Sequence, residues 1–293
     1  MVMSVSAALR YAKDKLNGIS SEQQLEAKLI VAHLIGVEPN KLALSDKTLN
    51  HQDIDQIINR RKEGEPLQYI FGKWWFYKSE FLVGKGVLIP RQDTELLVEE
   101  ALNLIKDKKA PKVCDLCSGS GCIAISIAKD RPDAYVLAVE KYSEAYAWLL
   151  KNIEKNGAKN VTPKLADALV SNGEQFDLIV SNPPYIPTVE KETLSKEVLN
   201  EPHTALFGGE DGLYFYREIS EVWKNSLNKG GYLAFEVGIK EADLVAQILT
   251  DNGYKNIGIK NDLLGVQRVV FGTPDNVKYN QINIKGGKNY VRR

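Results

Sequence analysis

No stretch of this 293-residue chain approaches eighteen apolar residues in a row, so no membrane-spanning helix is expected. Met1-Val2-Met3-Ser4 sets no basic segment before a hydrophobic run, and no secretory signal is expected either. Net charge is absent: 38 Lys and Arg balance 38 Asp and Glu. Without a global basic field, a protein held mainly on nucleic-acid phosphates is disfavoured, and no stable nucleic-acid partner is expected. Cysteine is scarce. The three present, Cys114, Cys117 and Cys122, are an odd set that cannot make a full disulfide framework, which fits a reducing cytoplasm. Their spacing, with no histidine nearby, falls short of a zinc site, so no metal is expected. A serine-nucleophile motif, a Walker loop, an obvious Schiff-base lysine and internal repeats are all missing.

What is present suits a protein with two cores. Apolar residues make up 44% and charged residues 26%, and the length allows one large domain and a smaller one. A chain with two cores needs no partner to fold, so a monomer is expected. From Val5 to about Glu63 apolar residues recur at three- and four-residue steps (Ala8, Leu9, Ala12 and Leu16, then Leu25, Leu29, Ala32 and Ile35), which predicts a small all-helical unit over 1–66. Ser20 or Ser21 is the expected N-cap of its second helix. Aromatic-rich segments with glycines between them, through Trp74-Trp75-Phe76-Tyr77 and Phe81-Leu82-Val83, predict a β-hairpin linker over 67–89. Over 90–276 strands and helices alternate. Strands are expected at 112–116, 135–140, 161–165, 176–181, 232–237, 254–260 and 267–272, with helices at 122–129, 142–156, 212–227 and 240–251. That alternation predicts an α/β fold, a doubly wound, mostly parallel seven-stranded sheet. Residues 277–293 carry Lys278, Lys285, Lys288, Arg292 and Arg293 and read as a basic tail.

Two segments carry chemistry. The first is Val113-Cys114-Asp115-Leu116 running into Cys117-Ser118-Gly119-Ser120-Gly121-Cys122, a strand, a glycine-rich turn and a helix start. Glycines there let backbone approach a ligand, and the helix N-terminus adds donors. Glu140, about twenty residues beyond Gly119 at the end of the next strand, is placed to accept both hydroxyls of a ribose. A dinucleotide and S-adenosylmethionine would both fit. The Asp115 carboxylate favours the second, since it repels a pyrophosphate but suits a cationic amino group. Asp167, with Ala168 after it, ends the third strand; it reads either as an acceptor for an adenine amino group or as a surface acid.

The second segment is Asn182-Pro183-Pro184-Tyr185, directly after the apolar strand 176–181. Both prolines fix φ near −65° and bias the residue before them to extended backbone, which makes a rigid corner at the mouth of the sheet. The Asn182 side-chain oxygen and the Pro183 carbonyl can together hold the two hydrogens of a planar amine or amide, with Tyr185 over its face. Asn-Pro also starts ordinary turns. A cationic cofactor and an amine-holding corner in one sheet point to methyl transfer from a sulfonium to nitrogen. An amide nitrogen is a poor nucleophile, so positioning and electrostatics would supply most of the acceleration, and no general base is strictly needed.

These residues resemble a known family, the protein-(glutamine-N5) methyltransferases of peptide chain release factors, often called PrmC or HemK. The resemblance spans nearly the whole chain. It rests on Gly64-Glu65-Pro66-Leu67-Gln68-Tyr69-Ile70-Phe71-Gly72, Val87-Leu88-Ile89-Pro90-Arg91, Thr94-Glu95, the glycine turn, Asn182 to Tyr185, Glu201-Pro202, Ala205-Leu206, Gly208-Gly209 and Asp211-Gly212-Leu213. It implies a class I, Rossmann-like methyltransferase domain. S-adenosylmethionine, leaving as S-adenosyl-L-homocysteine, would sit on Asp115, Cys117, Ser118, Gly119, Ser120 and Gly121, with Glu140 on its ribose, Asp167 and Ala168 beside its adenine and Asn182 next to it. Asn182, Pro183, Pro184 and Tyr185 would hold a glutamine from the Gly-Gly-Gln loop of a class I release factor. The helical unit would help recognise that factor. Three positions depart from the family pattern: Cys117 stands where Gly is common, Glu140 where Asp is, and Gln92 where Pro is. Glu140 keeps both acceptors on a longer arm. Cys117 would be strained if its φ is positive. An amino-group methyltransferase acting on adenine or guanine in RNA or DNA remains the alternative, since it would use the same corner on a flipped base.

Overall fold

In the computed structural model, which describes residues 2–275, the chain opens with β1 (Val2–Ser4) and α1 (Val5–Lys15). Ser4 caps that helix through its hydroxyl, which accepts from the Ala7 amide at 3.4 Å. After α2 (Gln23–Ile35) come β2 (Thr48–Asn50) and α3 (His51–Lys62). Ala8, Ala12 and Leu16 interlock with Ile30 and Val31 and with Ile54 and Ile58 in one core. Each fully buried Leu or Ile there contributes about 1.5–3 kcal/mol. Two details differ from the helical periodicity. β1 and β2 pair antiparallel, Met3 opposite Leu49, as a ribbon too short to show any alternation. The second helix starts at Gln23, and Ser20 instead closes the preceding turn, accepting from the Glu22 amide at 3.0 Å and donating to Glu26 at 2.7 Å.

Between the helices and the sheet, Leu67–Phe71 forms α4, not the first part of a hairpin. Pro66 pre-sets the helix entry and Gly72, at φ 73°, closes it. Leu67, Ile70 and Phe71 turn into the N-terminal core while Tyr69 turns to a separate cluster with Val83, Val87, Ile89 and Ala145. The hairpin is shorter than expected: β3 (Lys73–Phe76) pairs with β4 (Ser79–Leu82).

A helix that the periodicity did not single out, α5 (Glu95–Leu104), precedes the sheet. Then follow β5 (Lys112–Leu116), α6 (Cys122–Asp130), β6 (Tyr135–Glu140), α7 (Ser143–Asn156), β7 (Val161–Leu165), β8 (Phe176–Ser181), α8 (Lys196–Leu199), α9 (Tyr214–Val222), β9 (Leu227–Glu236), α10 (Ala242–Asp251), β10 (Tyr254–Asn261) and β11 (Gln267–Pro274). The seven-stranded order is β10-β11-β9-β8-β5-β6-β7, parallel except for β11. Helices cover both faces. Val113, Leu178 and Val180 pack on the side of α5 and α6, whereas Cys114, Leu116 and Ile179 meet Ile219, Trp223 and Val245 from α9 and α10. Strand order reverses between β5 and β8, and at that reversal open α/β sheets bind ligands. Both chemistry-bearing segments begin there, because Leu116 pairs with Ser181. The basic tail expected over 277–293 lies outside the described residues.

Candidate active site

The turn after β5 is built for close approach. Cys117, Gly119 and Gly121 have φ of 59°, 53° and 81°. Gly121 is also required by packing, since a Cβ there would stand 2.4 Å from Leu149 Cδ1. Cys117 adopts the left-handed conformation without being glycine, at a cost of about 1–3 kcal/mol. The loop is fastened to the end of β6: the Gly119 and Tyr142 amides donate to the Glu140 carboxylate at 2.9 and 2.8 Å, and the Ser118 amide to the Val139 carbonyl at 3.0 Å. Glu140 is buried and lines the adjoining cavity, and each of its oxygens accepts one amide and has a second lone pair.

That cavity has a volume of about 240 Å³ and is lined by Cys117, Ser118, Gly119, Ser120, Glu140, Asp167 and Ala168, with Asn182 and Pro184 on its far wall. Two cations also reach it, and both are neutralised: Lys141 pairs with Asp167 at 2.8 Å and Arg91 with Glu201. The walls therefore offer carboxylate and apolar surface, which fits an adenosyl group with a cationic sulfonium and amine better than a pyrophosphate. Asp115 lies behind the wall. Its side chain is completely buried, one oxygen accepts from the Ala124 amide at 3.2 Å, the other has no partner, and burial pushes the carboxyl up to about 7. Gly121 likewise shapes the loop without lining the cavity.

Asn182 to Tyr185 leave β8 as an all-trans corner. Backbone packs on backbone behind it: a Cβ on Gly208 would stand 2.5 Å from the Pro184 carbonyl, and one on Gly212 2.2 Å from that of Tyr185. The Ile186 amide donates to the Leu206 carbonyl and Gly208 returns the bond to Ile186, both at 2.9 Å. On this side a second cavity, of about 210 Å³, is lined by Asn182, Tyr185, Ile186, Val198 and Leu206. The two cavities share Leu88, Arg91, Asn182 and Ala205, so Asn182 borders both. Burial, then the charge of Glu236, holds the Tyr185 hydroxyl well above the usual phenol range.

Several supporting residues escaped the sequence. Asn182 Nδ2 donates to Thr94 Oγ1 at 3.2 Å, and Thr94 is buried before α5. Asn152 on α7 joins hairpin to turn, accepting from the Leu82 amide at 2.6 Å and donating to the Leu82 and Ser120 carbonyls at 3.0 Å each. Buried Glu201 accepts from the Ile89 amide at 2.9 Å as well as from Arg91. Arg61 on α3 reaches Glu26 at 2.9 Å and Glu197 on α8 at 2.6 Å, tying the helical unit to the segment beyond the corner. Only a fold that brings distant segments together reveals these partners.

Comparison with known proteins agrees with this architecture. The catalytic domain of hMettl16, in complex with an RNA hairpin, superposes over 92% of this chain and 89% of its own with a TM-score of 0.54 at 13% identity, a likeness of fold. Residues 92–212 match the "Methyltransferase small domain" family and residues 7–72 the "PrmC N-terminal domain". The protein thus has the class I methyltransferase fold. The release factor glutamine methyltransferase of Geobacter sulfurreducens is 42% identical over 85% of this chain and 89% of its own length; that of Thermodesulfovibrio yellowstonii is 37% identical over 84% and 90%. The chain belongs to the release factor glutamine methyltransferase family.

Proposed function

We propose that this enzyme transfers a methyl group from S-adenosylmethionine to the side-chain amide nitrogen, N5, of the glutamine in the Gly-Gly-Gln loop of class I peptide chain release factors. The observation that carries the reading is the position of Asn182 at the border of two cavities, one with carboxylate walls and neutralised cations, the other lined by Tyr185 and apolar side chains. Cys117 to Ser120 and Glu140 would hold the cofactor, with Gly121 shaping the turn, and the cofactor supplies an electrophilic methyl when bound. Glu140 would accept from its ribose, and Asp167 and Ala168 would flank its adenine. Asp115 supports the turn from behind, accepting from the Ala124 amide.

Asn182 Oδ1 and the Pro183 carbonyl accept the two N–H bonds of the glutamine amide, which keeps its nitrogen facing the first cavity. As charge develops on that nitrogen the two acceptors bind it more strongly, so the clamp favours the transition state. Pro184 stiffens the corner and Tyr185 closes one face of the amide. After transfer, the extra proton on the alkylated amide leaves to water without a dedicated base. The same reading carries a domain plan: a helical recognition unit over 1–66, a linker over 67–89 made of α4 and the shorter β3–β4 hairpin, and a catalytic unit over 90–276. It also carries a cytoplasmic monomer without a stable nucleic-acid partner, a setting in keeping with three unpaired cysteines. One assay tests the substrate: labelled S-adenosylmethionine offered with a release factor, the same factor with its loop Gln replaced, and RNA or DNA. Label on the intact factor alone supports the reading; label on nucleic acid, or equal label on the substituted factor, contradicts it.

A further inference from the structure

An asparagine clamp has an orientation problem that a backbone carbonyl lacks. Turning the Asn182 amide by half a rotation swaps its oxygen for its NH2 at nearly the same place. Only one setting accepts from a substrate amide; the other sets two donors face to face. The Pro183 carbonyl is fixed by the ring, but the Asn182 side chain must be fixed by neighbours.

Thr94 is the first neighbour, accepting from Nδ2 at 3.2 Å. A hydroxyl alone settles nothing, since it donates to an oxygen as readily as it accepts from an NH2. The second neighbour removes the ambiguity. Glu236 ends β9 next to Asn182, because Ser181 pairs with Phe235 in the β8–β9 register; it is 2% exposed, its Oε2 has no partner, and the Thr94 and Asn182 side chains oppose the rise that burial gives its carboxyl. Burial raises the Glu236 carboxyl to about 7, and in the ionised form that prevails above that pH it only accepts. In that form it draws the Thr94 proton, leaving the Thr94 lone pairs for Asn182 Nδ2, and Oδ1 is turned to the opposite side.

The frame around this relay is rigid. Thr94 ends a short 3-10 turn, Gln92–Thr94, whose Asp93 pairs with Arg268 on β11 at 2.8 Å. Arg268 returns to β9 beside Glu236, its carbonyl accepting from the Val237 amide at 2.9 Å. The turn before α5 is thus tied to β11, and β11 to the end of β9 that carries Glu236.

We propose that Thr94 and Glu236 are positioning residues that act through Asn182, setting its amide so that the oxygen faces the substrate. The proposal rests on Asn182 being the substrate acceptor. Replacing Glu236 with Gln keeps the shape but adds a donor that can satisfy Asn182 Oδ1, so the amide is free to turn around. Replacing Thr94 with Val keeps the volume and deletes the relay, whereas Ser keeps the hydroxyl.

The test compares T94V, T94S and E236Q with the wild type in steady-state methylation of a release factor. S-adenosylmethionine affinity by calorimetry, and solvent exchange of the Asn182 side-chain amide by nitrogen-labelled NMR, are followed alongside. A lost orienting hydrogen bond of about 1–3 kcal/mol predicts kcat lower by roughly 10- to 100-fold in T94V and E236Q, with cofactor affinity within about two-fold. T94S keeps kcat within about three-fold, and Asn182 amide exchange speeds up in T94V but not in T94S. A kcat near wild type in E236Q or T94V, or a T94S loss equal to that of T94V, overturns the proposal. If T94V does not fold, T94S and E236Q decide. A wild type that leaves the factor unlabelled contradicts the proposed function, a result distinct from wild-type label matched by the variants.

Discussion

The turn after β5 and the corner after β8 begin side by side on neighbouring strands but are held by opposite means. The turn is fixed by its own backbone: positive φ at three positions and an acid, Glu140, that gathers two amides. The corner has rigid prolines, yet the Asn182 amide at its start donates to Thr94 from another segment. The turn is therefore held locally, whereas the Asn182 side chain has a hydrogen-bond partner in a distant stretch of the sequence.

The comparison breaks most sharply at Asn182. N182A is expected to lower kcat by roughly 10³-fold, the scale of a lost transition-state contact, while S-adenosylmethionine binds within about two-fold of wild type in calorimetry. A loss of cofactor affinity as large as the loss of rate would place Asn182 in the turn's function instead. E140A should do the reverse. Losing hydrogen bonds to a charged group weakens cofactor binding by roughly 10- to 100-fold and loosens Gly119 and Tyr142, an effect visible as faster amide exchange at those two residues.

A smaller effect separates support from contact. Burial raises the Asp115 carboxyl to about 7 in the folded state, so the folded chain holds a proton that the unfolded chain releases near pH 4. Its contribution to stability is complete below that lower value and is lost as pH rises through about 7, with a slope of at most about 1.4 kcal/mol per pH unit. Denaturant unfolding of D115N at pH 5.5 and pH 8 should show a smaller fall than in wild type; equal falls would refute the assignment. The smallest change expected is at Cys117, where C117G relieves the strain of the positive φ of 59° but adds the conformational freedom that glycine loses on folding, for a net gain of about 1 kcal/mol or less, a shift readable in the melting temperature. A lower melting temperature would show that the thiol's packing outweighs the strain.

These contrasts also explain what the sequence disclosed. Strands β5, β6 and β8 were legible because, buried on both faces, they read as mostly apolar runs, and the glycine turn and Asn-Pro-Pro-Tyr are contiguous. α4 was hidden because its apolar residues serve two clusters, Leu67 and Ile70 in one and Tyr69 in the other, which blurs a five-residue pattern. Thr94 and Glu236 left no local signal as a pair, since only the β8–β9 register and the turn before α5 bring them to Asn182. The reading of Asp115 as a partner inside the cavity changed most in its geometry, because its side chain points beneath the turn.

The central claim is that Asn182 presents a release-factor glutamine amide to the cofactor cavity. Its most direct measurement is mass spectrometry of the Gly-Gly-Gln peptide after incubation of the factor and S-adenosylmethionine with wild type or N182A. A single methyl on the glutamine side-chain nitrogen with wild type, and none with an N182A protein that still binds cofactor, is the predicted result. Methylation at another residue, or an N182A protein that modifies the glutamine at the wild-type rate, would contradict it.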